Sequence, residues 1–300
     1  MKKKKIRAAL LLTLASFIWG STFVAQRMGG DFLEPLTFTF SRSLLAGIVL
    51  FGFLCVKSTI QKTSLKDVFT KETVIGGLCC AAVLFFATTL QQTGVTMTTA
   101  GKAGFLTTTY IVIVPLLGLF IKKKPPNVIW LSVLIAIAGL YLLTVKDGLR
   151  IELGDILVIL CAVCFSGHIL VTDHFSRKAN PIGLSCIQFL TVGIASLPLA
   201  YIFEQPSVAN VARAWIPLIY TGILSSSIAF TLQILAQKDL APAVASIIMS
   251  LESVFAVLCG WLVLNETLFL KEGVGCVLMF TAVILAQLPE KAKKNRRVAA

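Results

Sequence analysis

Apolar stretches of about 20 residues recur along almost the whole chain, and this recurrence constrains the fold more than any other feature. A helix rises about 1.5 Å per residue, so each stretch can cross a hydrocarbon layer of about 30 Å. The composition agrees, since 57% of the 300 residues are hydrophobic and 14% are charged. The sequence therefore predicts a polytopic membrane protein, in the cell (plasma or inner) membrane, with the lipid bilayer as its surroundings.

Apolar length, helix breakers and flanking charges divide the chain into ten predicted spans. Lipid offers no partner to open backbone groups, and the stretches lack the period-two alternation of barrel strands, so each span is predicted to be a helix. The predicted fold class is therefore all-α. The spans are 6–28, 33–56, 73–94, 98–121, 127–146, 154–175, 181–203, 213–237, 241–264 and 269–288.

The placement of the basic residues predicts the orientation of the chain. Lys and Arg cluster in two basic tails, 1–5 and 289–300, and in alternate loops such as 122–124. In multi-span proteins this excess marks the cytoplasmic side. Both termini are therefore predicted to be cytoplasmic. The net charge of +13 would suggest nucleic acid in a soluble protein, but here no nucleic-acid partner is expected.

The two halves of the chain resemble each other in sequence. The corresponding features are Gly20 and Gly167, Pro35 and Pro181, "TLQQTG" at 89–94 and "TLQILA" at 231–236, and Gly101 and Pro242. The chain is thus predicted to contain two five-helix repeats, 6–146 and 154–288. Because five is odd, the second repeat starts on the opposite side of the membrane and is an inverted copy. Secondary transporters with this architecture bind substrate near the bilayer midplane.

Four motifs keep their order and spacing along the chain. They are "WGSTFVAQR" in the first span, "PLTFTFSRSLLAG" in the second, "LQQTGVTMTTAGKAGFLTTTYIVIVP" at 90–115 and "APAVASIIMSLESVFAVLCGWLVLNETL" at 241–268. Together they resemble the drug/metabolite transporter superfamily, specifically its EamA-like ten-helix branch. The resemblance implies a ten-helix inverted-repeat fold and transport of small metabolites, often export of amino acids or related compounds. Ser253 stands where many members have proline, which leaves a proline-dependent bend in the ninth span open.

Four ionisable groups lie inside the predicted spans: Arg42, Lys102, His168 and Glu252. A charge at the centre of a membrane helix costs roughly 2.5–3.5 kcal/mol on insertion scales, so each group needs a partner or a hydrated cavity. Glu252 lies nearest the predicted midplane. Two roles stay open for it: a bond to Arg42, Lys102 or a hydroxyl that holds the helices together, or direct handling of substrate or protons.

The other three groups also have competing interpretations. Arg42 stays charged, so it can hold the carboxylate of Glu252 or an acid group of a substrate, or it can extend outward to the membrane surface. Lys102 lies close to the end of its span, where outward extension is favoured. His168 can titrate near neutral pH and relay protons, although a bond to a neighbouring helix is favoured.

Uncharged polar and aromatic side chains extend the candidate path. Amide and hydroxyl groups can replace part of a substrate's hydration, and Trp19 and Tyr110 can stack on it; the alternative is interhelical hydrogen bonding and packing. Gln188 is included as the counterpart of Arg42 in the second repeat. The complete candidate path is Trp19, Thr22, Arg42, Gln91, Lys102, Tyr110, His168, Gln188, Gln233 and Glu252.

The motifs of other function classes are missing from the sequence. It has no HExxH, GxSxG or P-loop, and its CxxC at 161–164 lacks the second pair of a zinc site, so no enzyme activity, metal or cofactor is expected. Glu252 matches Ile111 and Lys102 matches Ala243, which favours one off-centre substrate site over a symmetric channel.

We hypothesise a secondary transporter that exports small metabolites by alternating access, with proton coupling as a further hypothesis. The alternatives are an uptake permease or drug efflux protein of the same fold, a non-transporting scaffold, and a membrane-embedded enzyme.

Overall fold

The computed structural model describes residues 2–120, 125–144, 152–264 and 269–288. Within these ranges the chain is helical and contains no strand. The α-helices are α1 (Lys2–Gly30), α2 (Pro35–Gln61), α3 (Leu65–Val68), α4 (Lys71–Met97), α5 (Ala100–Thr107), α6 (Tyr110–Phe120), α7 (Asn127–Thr144), α8 (Leu153–Ser176), α9 (Pro181–Phe203), α10 (Val208–Arg213), α11 (Trp215–Ile219), α12 (Phe230–Gln237), α13 (Pro242–Met249), α14 (Leu251–Leu264) and α15 (Leu270–Ala286), and a π-helix, Tyr220–Ala229, joins α11 to α12.

Eight helical stretches of the described chain are apolar and at least 18 residues long, enough to cross a membrane. They are Lys3–Gly30, Pro35–Gln61, Lys71–Met97, Gly101–Phe120, Leu153–Ser176, Pro181–Phe203, Trp215–Gln237 and Pro242–Cys259. A shorter apolar helix covers Asn127–Leu143, and α15 has 17 residues. Eight of the ten predicted spans thus contain a described helical stretch of at least 18 residues, and the helices of the fifth and tenth spans are shorter.

Proline marks the start of three of these helices. Pro35, Pro181 and Pro242 stand in the first turn of α2, α9 and α13, where a missing N–H breaks no helical hydrogen bond. At the start of α9 the Asn180 side chain also accepts hydrogen bonds from the backbone N–H groups of Ile182 and Gly183. These starts lie within two residues of the predicted ones.

Helices α2 and α9, which correspond in the two repeats, cross through a pair of glycines. A Cβ on Gly47 would lie 2.5 Å from Cδ2 of Leu190, and one on Gly193 would lie 2.7 Å from Cγ of Leu44. Gly47 and Gly193 are 146 positions apart, and so are Leu44 and Leu190. The two contacts are therefore copies of each other with the halves exchanged, and the two corresponding helices run antiparallel.

A close glycine contact also joins α7 and α15, which are antiparallel because Gly139 also approaches Leu278 while Gly275 also approaches Leu143. A Cβ on Gly139 would lie 2.9 Å from the carbonyl oxygen of Gly275, and one on Gly275 would lie 2.7 Å from that of Gly139. Here too the helices approach until their backbones touch. Such close contact between membrane helices requires small residues, because lipid provides no hydrophobic force that drives helices together.

Helices α4 and α8 pack against each other along their full length. A Cβ on Gly76, near the start of α4, would lie 2.8 Å from Cγ of Phe175, near the end of α8. At the other end, a Cβ on Gly94 would lie 2.5 Å from Cγ2 of Val158. The two helices are therefore antiparallel, and they join the first repeat to the second.

The fourth and ninth spans are each interrupted at the corresponding position. Helix α5 ends just before Thr108, and α13 ends just before Ser250. The interruptions at Thr109 and Ser250 are 141 positions apart, and so are the corresponding residues Gly101 and Pro242. Each span thus consists of two helices rather than one. The ninth span is interrupted even though Ser253, and not a proline, stands in its second half.

Some predictions concern residues outside the described ranges. They include the basic loop at 122–124, the end of the ninth-span motif at 265–268, the repeat boundary at 146 and the C-terminal basic tail at 289–300.

A methyl group added at Gly47 tests the α2–α9 crossing. We expect Gly47→Ala to lower the free energy of unfolding by about 1–3 kcal/mol, since both the side chain and the backbone N of Leu190 lie within 3.0 Å of the new Cβ. The measurement is reversible unfolding of the purified protein in detergent. Gly52→Ala is the matched control on the same helix, because nothing lies within 4 Å of its Cβ position. Equal stability of the two variants would contradict the crossing.

Candidate functional site

A narrow cavity of about 50 Å³ lies where the interrupted helices α5–α6 and α13–α14 meet the remaining bundle. A single water needs at least about 10–15 Å³, so the cavity has room for a few waters. Seven of the ten candidate residues line it: Trp19, Thr22, Arg42, Gln91, Tyr110, Gln233 and Glu252. The other three, Lys102, His168 and Gln188, lie outside it.

Glu252 is in the first turn of α14 and is 5% exposed. Its Oε1 accepts a hydrogen bond of 3.1 Å from the hydroxyl of Tyr110, the first residue of α6. The N-terminal end of a helix carries partial positive charge, which favours a carboxylate in the first turn. Among the described residues no ion pair connects Glu252 to Arg42 or to Lys102. The structure thus places a carboxyl group, held by one hydroxyl, between the two interrupted helices.

A second polar contact joins the two interruptions directly. The hydroxyl oxygens of Thr108 and Ser253 are 3.0 Å apart, and the Ser253 hydroxyl donates to the carbonyl oxygen of Gly104 at 3.0 Å. Both residues are buried. The hydroxyl of Ser253 therefore bonds the ninth span to the fourth, next to Glu252.

The position of Glu252 depends on a close approach between α1 and α14. A Cβ on Gly20 would lie 2.5 Å from the carbonyl oxygen of Glu252 and 2.8 Å from the backbone N of Ala256. Only glycine leaves room for this contact. As a result Trp19, the neighbour of Gly20 in α1, and Glu252 in α14 line the same cavity.

Arg42 in α2 is 3% exposed and lines the cavity. Its guanidinium carbon lies 5.6 Å from the ring centroid of Phe38, close enough for a cation–π interaction. The guanidinium makes no hydrogen bond or ion pair with any residue in the described ranges, and its Nε is buried without a partner. The interpretation in which Arg42 extends outward to the membrane surface is therefore wrong.

Lys102 forms an ion pair away from the cavity. Its Nζ lies 2.5 Å from Oδ2 of Asp155, and the Lys102 side chain is 27% exposed. Asp155, in the first turn of α8, also accepts hydrogen bonds from the Thr98 hydroxyl at 3.0 Å and from the Glu152 N–H at 2.8 Å. Lys102 thus links α5 to α8. Asp155 was not among the candidate residues, although its place in a first helical turn is a recognisable capping position.

His168 and Gln188 bond to each other instead of lining the cavity. His168 Nε2 is 3.0 Å from Gln188 Oε1, and both residues are fully buried. The imidazole ring packs edge-on against Phe230, with 5.7 Å between ring centroids. Because Phe230 lines the cavity, His168 lies behind the cavity wall, in a contact between α8 and α9.

Several buried polar atoms in the cavity wall have no hydrogen-bond partner in the described chain. They are Nε1 of Trp19, Oε1 of Gln26, Nε of Arg42 and Oε1 of Gln233. A buried polar group left unsatisfied costs about 1–3 kcal/mol. The wall therefore presents both donors and acceptors that water or a ligand would satisfy.

Other lining residues were not among the candidates. The polar ones are Gln26, Thr88, Thr107, Ser225 and Ser226, and the apolar ones include Phe23, Phe165, Phe230 and Met249. Thr107 belongs to the "TTTY" run at an interruption, and Ser225 to the "SSS" run in the π-helix. Irregular helix turns occur often at functional sites, so such hydroxyl runs were the available signal. In the described ranges no group of three or more His, Cys, Asp or Glu side chains is placed to hold a metal ion.

Comparison with protein families and known proteins gives matches along nearly the whole chain. The model of the EamA-like transporter family matches residues 6–145 and again 152–288. An "Uncharacterized transporter" of Archaeoglobus fulgidus is 32% identical over 286 residues, 95% of this chain and 87% of that protein. The "Uncharacterized inner membrane transporter YedA" of Escherichia coli K12 is 25% identical and aligns with 90% of this chain and 87% of its own length.

A solved crystal structure has the same fold. It aligns with a TM-score of 0.76 at 17% sequence identity and covers 93% of this chain and 96% of that chain.

Proposed function

The chain belongs to the EamA-like transporter family, and from this membership we propose that it is a secondary active transporter that exports a small metabolite by alternating access. Family members are transporters rather than enzymes. The apolar helices and the inner-membrane relatives make the chain a multi-pass protein of the plasma membrane. The proposed direction of transport and the proposed substrate class, amino acids or related compounds, follow the family resemblance.

The observation that carries the proposal is the position of the polar cavity at two interrupted helices. Unusual interruptions at corresponding positions of two repeats are the best pointer to a transporter's substrate site, because half-helix ends supply free polar groups there. The first turn of the second half of each interrupted span contains a polar residue, Tyr110 or Glu252. Both residues line the cavity.

Residues of two separate apolar clusters line the cavity. Phe23 belongs to a buried cluster with Val95, Leu106 and Ala256. Met249 and Ile169 belong to a different and larger cluster. In the proposed alternating-access cycle these two clusters would open in turn, while the polar part of the cavity wall holds the substrate.

We also propose that the two repeats, 6–146 and 154–288, are inverted and cross the membrane ten times, with both termini cytoplasmic. The antiparallel glycine crossings of α2 with α9 and of α7 with α15 support inversion, because the partners in each crossing are corresponding helices. The basic residues of the N-terminal tail and of the α2–α4 connection support the orientation.

Reporter fusions at two described connections test this topology. We expect alkaline phosphatase to be inactive when fused after Thr63 and active when fused after Gln205, since five crossings separate these two sites in the ten-helix topology. Green fluorescent protein at the same sites should give the reverse pattern. Reporters that place both sites on one side of the membrane would reject the inverted arrangement.

Metabolite profiling tests transport itself. We expect the medium of cells that overproduce the protein to gain at least one small metabolite several-fold over cells with an empty vector. The double variant Arg42→Gln, Glu252→Ile should abolish the gain at equal abundance in the membrane. It introduces at each position the residue type of its repeat counterpart, Gln188 or Ile111, both of which are fully buried in their own helices. If no compound changes in medium or cells, the transport proposal fails and a scaffold role replaces it.

Proton coupling through Glu252 is a further part of the proposal. Its carboxyl group lines the cavity and has one hydrogen-bond partner, the Tyr110 hydroxyl, among the described residues. Such a group can take up or release a proton as the substrate binds and leaves, without breaking an ion pair.

Transport into proteoliposomes, assayed with the compound found by profiling, tests the coupling. We expect an imposed pH gradient to raise the initial rate several-fold in the wild type, and to leave the rate of Glu252→Gln unchanged while exchange of substrate continues. Glu72→Gln, at an exposed glutamate in the first turn of α4, is the matched control and should respond like the wild type. A wild-type rate indifferent to the gradient, or a normal response of Glu252→Gln, would remove Glu252 from the coupling.

A further inference from the structure

We propose that Arg42 is the anion-binding residue of the cavity and that the transported compound carries a carboxylate or phosphate group. This inference rests on the proposed transport function, and it adds the substrate group that the cavity recognises and the residue that binds it.

The guanidinium of Arg42 is a buried charge without a counter-ion among the residues that the structure describes. Arginine remains protonated in proteins, so the positive charge persists inside the bundle. In the described part of the chain the guanidinium makes no ion pair, and the carboxyl group that shares its cavity, Glu252, is bonded to Tyr110. A buried ion needs an opposite charge and hydrogen bonds to offset its lost hydration. A bound anion would supply both.

The contact that Arg42 does make leaves its charge uncompensated. Phe38 faces the guanidinium at 5.6 Å and offers a π-face, which attracts a cation but accepts no strong hydrogen bond. Phe38 precedes Arg42 by one helical turn on α2. The ring thus orients the guanidinium and leaves its N–H groups available to a ligand.

The repeat shows that the fold does not require an arginine at this position. The counterpart of Arg42 in α9 is Gln188, which is fully buried and bonded to His168. The corresponding site in the other half therefore holds a neutral amide, whose Oε1 is bonded to His168 and whose Nε2 has no partner among the described residues. The charge on Arg42 is an addition to one repeat, and that addition faces the cavity.

The rest of the wall indicates what else the anion carries. Within the described ranges, Nε1 of Trp19 is a second donor without a partner, and Oε1 of Gln26 and Oε1 of Gln233 are acceptors without one. Phe165 and Phe230 are apolar parts of the same wall. This pattern suits a small organic acid that has an apolar portion and a hydrogen-bond donor apart from its acid group. The planar fork of arginine binds carboxylate and phosphate oxygens alike, in pairs.

Ligand-dependent thermal unfolding of the full chain in detergent tests the proposal. The probes are 3-phenylpropionate, phenyl phosphate, 3-phenylpropionamide and phenethylamine, which share an aromatic ring and differ in the polar group. We expect the first, the second or both to raise the unfolding temperature, which distinguishes a carboxylate site from a phosphate site. The amide and the amine should have no effect. Stabilisation by the neutral or cationic probes alone would overturn the proposal.

Variants assign the binding to Arg42. We expect Arg42→Gln to raise the concentration of acid needed for half-maximal stabilisation about tenfold or more, as loss of a charge-assisted bond predicts. Arg42→Lys should keep the preference for acids at reduced affinity, because it retains the charge but loses the planar fork. Arg213→Gln is the matched control: Arg213 also lies over a phenylalanine ring, Phe32 at 5.1 Å, but it is exposed and outside the cavity.

The outcomes separate this inference from the proposed function. Unchanged acid binding by Arg42→Gln would overturn the anion site, as would export of a neutral compound that Arg42→Gln carries normally, while the transporter proposal would stand. Acid binding that depends on Arg42, in a protein that moves nothing across a membrane, would support the anion site and remove the transport function. If Arg42→Gln does not fold, Arg42→Lys decides, since unchanged affinity for acids in that variant contradicts the role of the planar fork.

Discussion

The hydrogen-bonding demand of the backbone inside lipid controls this structure. The bilayer core offers no partner to N–H and C=O groups, so a chain that crosses it must be helical, and an interruption is tolerated only inside protein or beside water. The interruptions at Thr109 and Ser250 meet this condition, because they lie within the bundle. The hydroxyls of Thr108 and Ser253 bond across them. Polar residues at the same interruptions, Thr107, Tyr110 and Glu252, face inward, so the cavity beside the interrupted helices has a partly polar wall.

Close contact between helices has the same physical origin. Without a hydrophobic force to drive membrane helices together, packing depends on how near their backbones can approach. Gly47 and Gly193 set this distance between α2 and α9, and Gly20 sets it between α1 and α14. The contact at Gly20 has a functional consequence. It lets α1 contact the backbone of Glu252, so that Trp19 and Glu252 line the same cavity.

How far the sequence predicts this structure depends on whether a feature is local. Apolar length and the prolines at Pro35, Pro181 and Pro242 locate helices and their starts, since both act within one turn. An ionisable group inside an apolar span needs a partner or a hydrated cavity, which was enough to select Arg42 and Glu252. This requirement does not reveal which helix lies opposite. The ion pair of Lys102 with Asp155 joins separate helices, and its place outside the cavity therefore emerges only from the structure.

The differences between the two repeats carry more information about function than their similarities. The repeat gives each half one of two corresponding helices, α2 and α9, which pack against each other. Each of these helices has a polar residue at the corresponding position. On α9 the neutral side chain of Gln188 bonds to His168 behind Phe230, outside the cavity. On α2 Arg42 has no such partner in the described chain and faces the cavity. The two repeats therefore differ at this position by a charge, and the Arg42 side chain that carries it lies in the cavity wall with no ion-pair partner among the described residues.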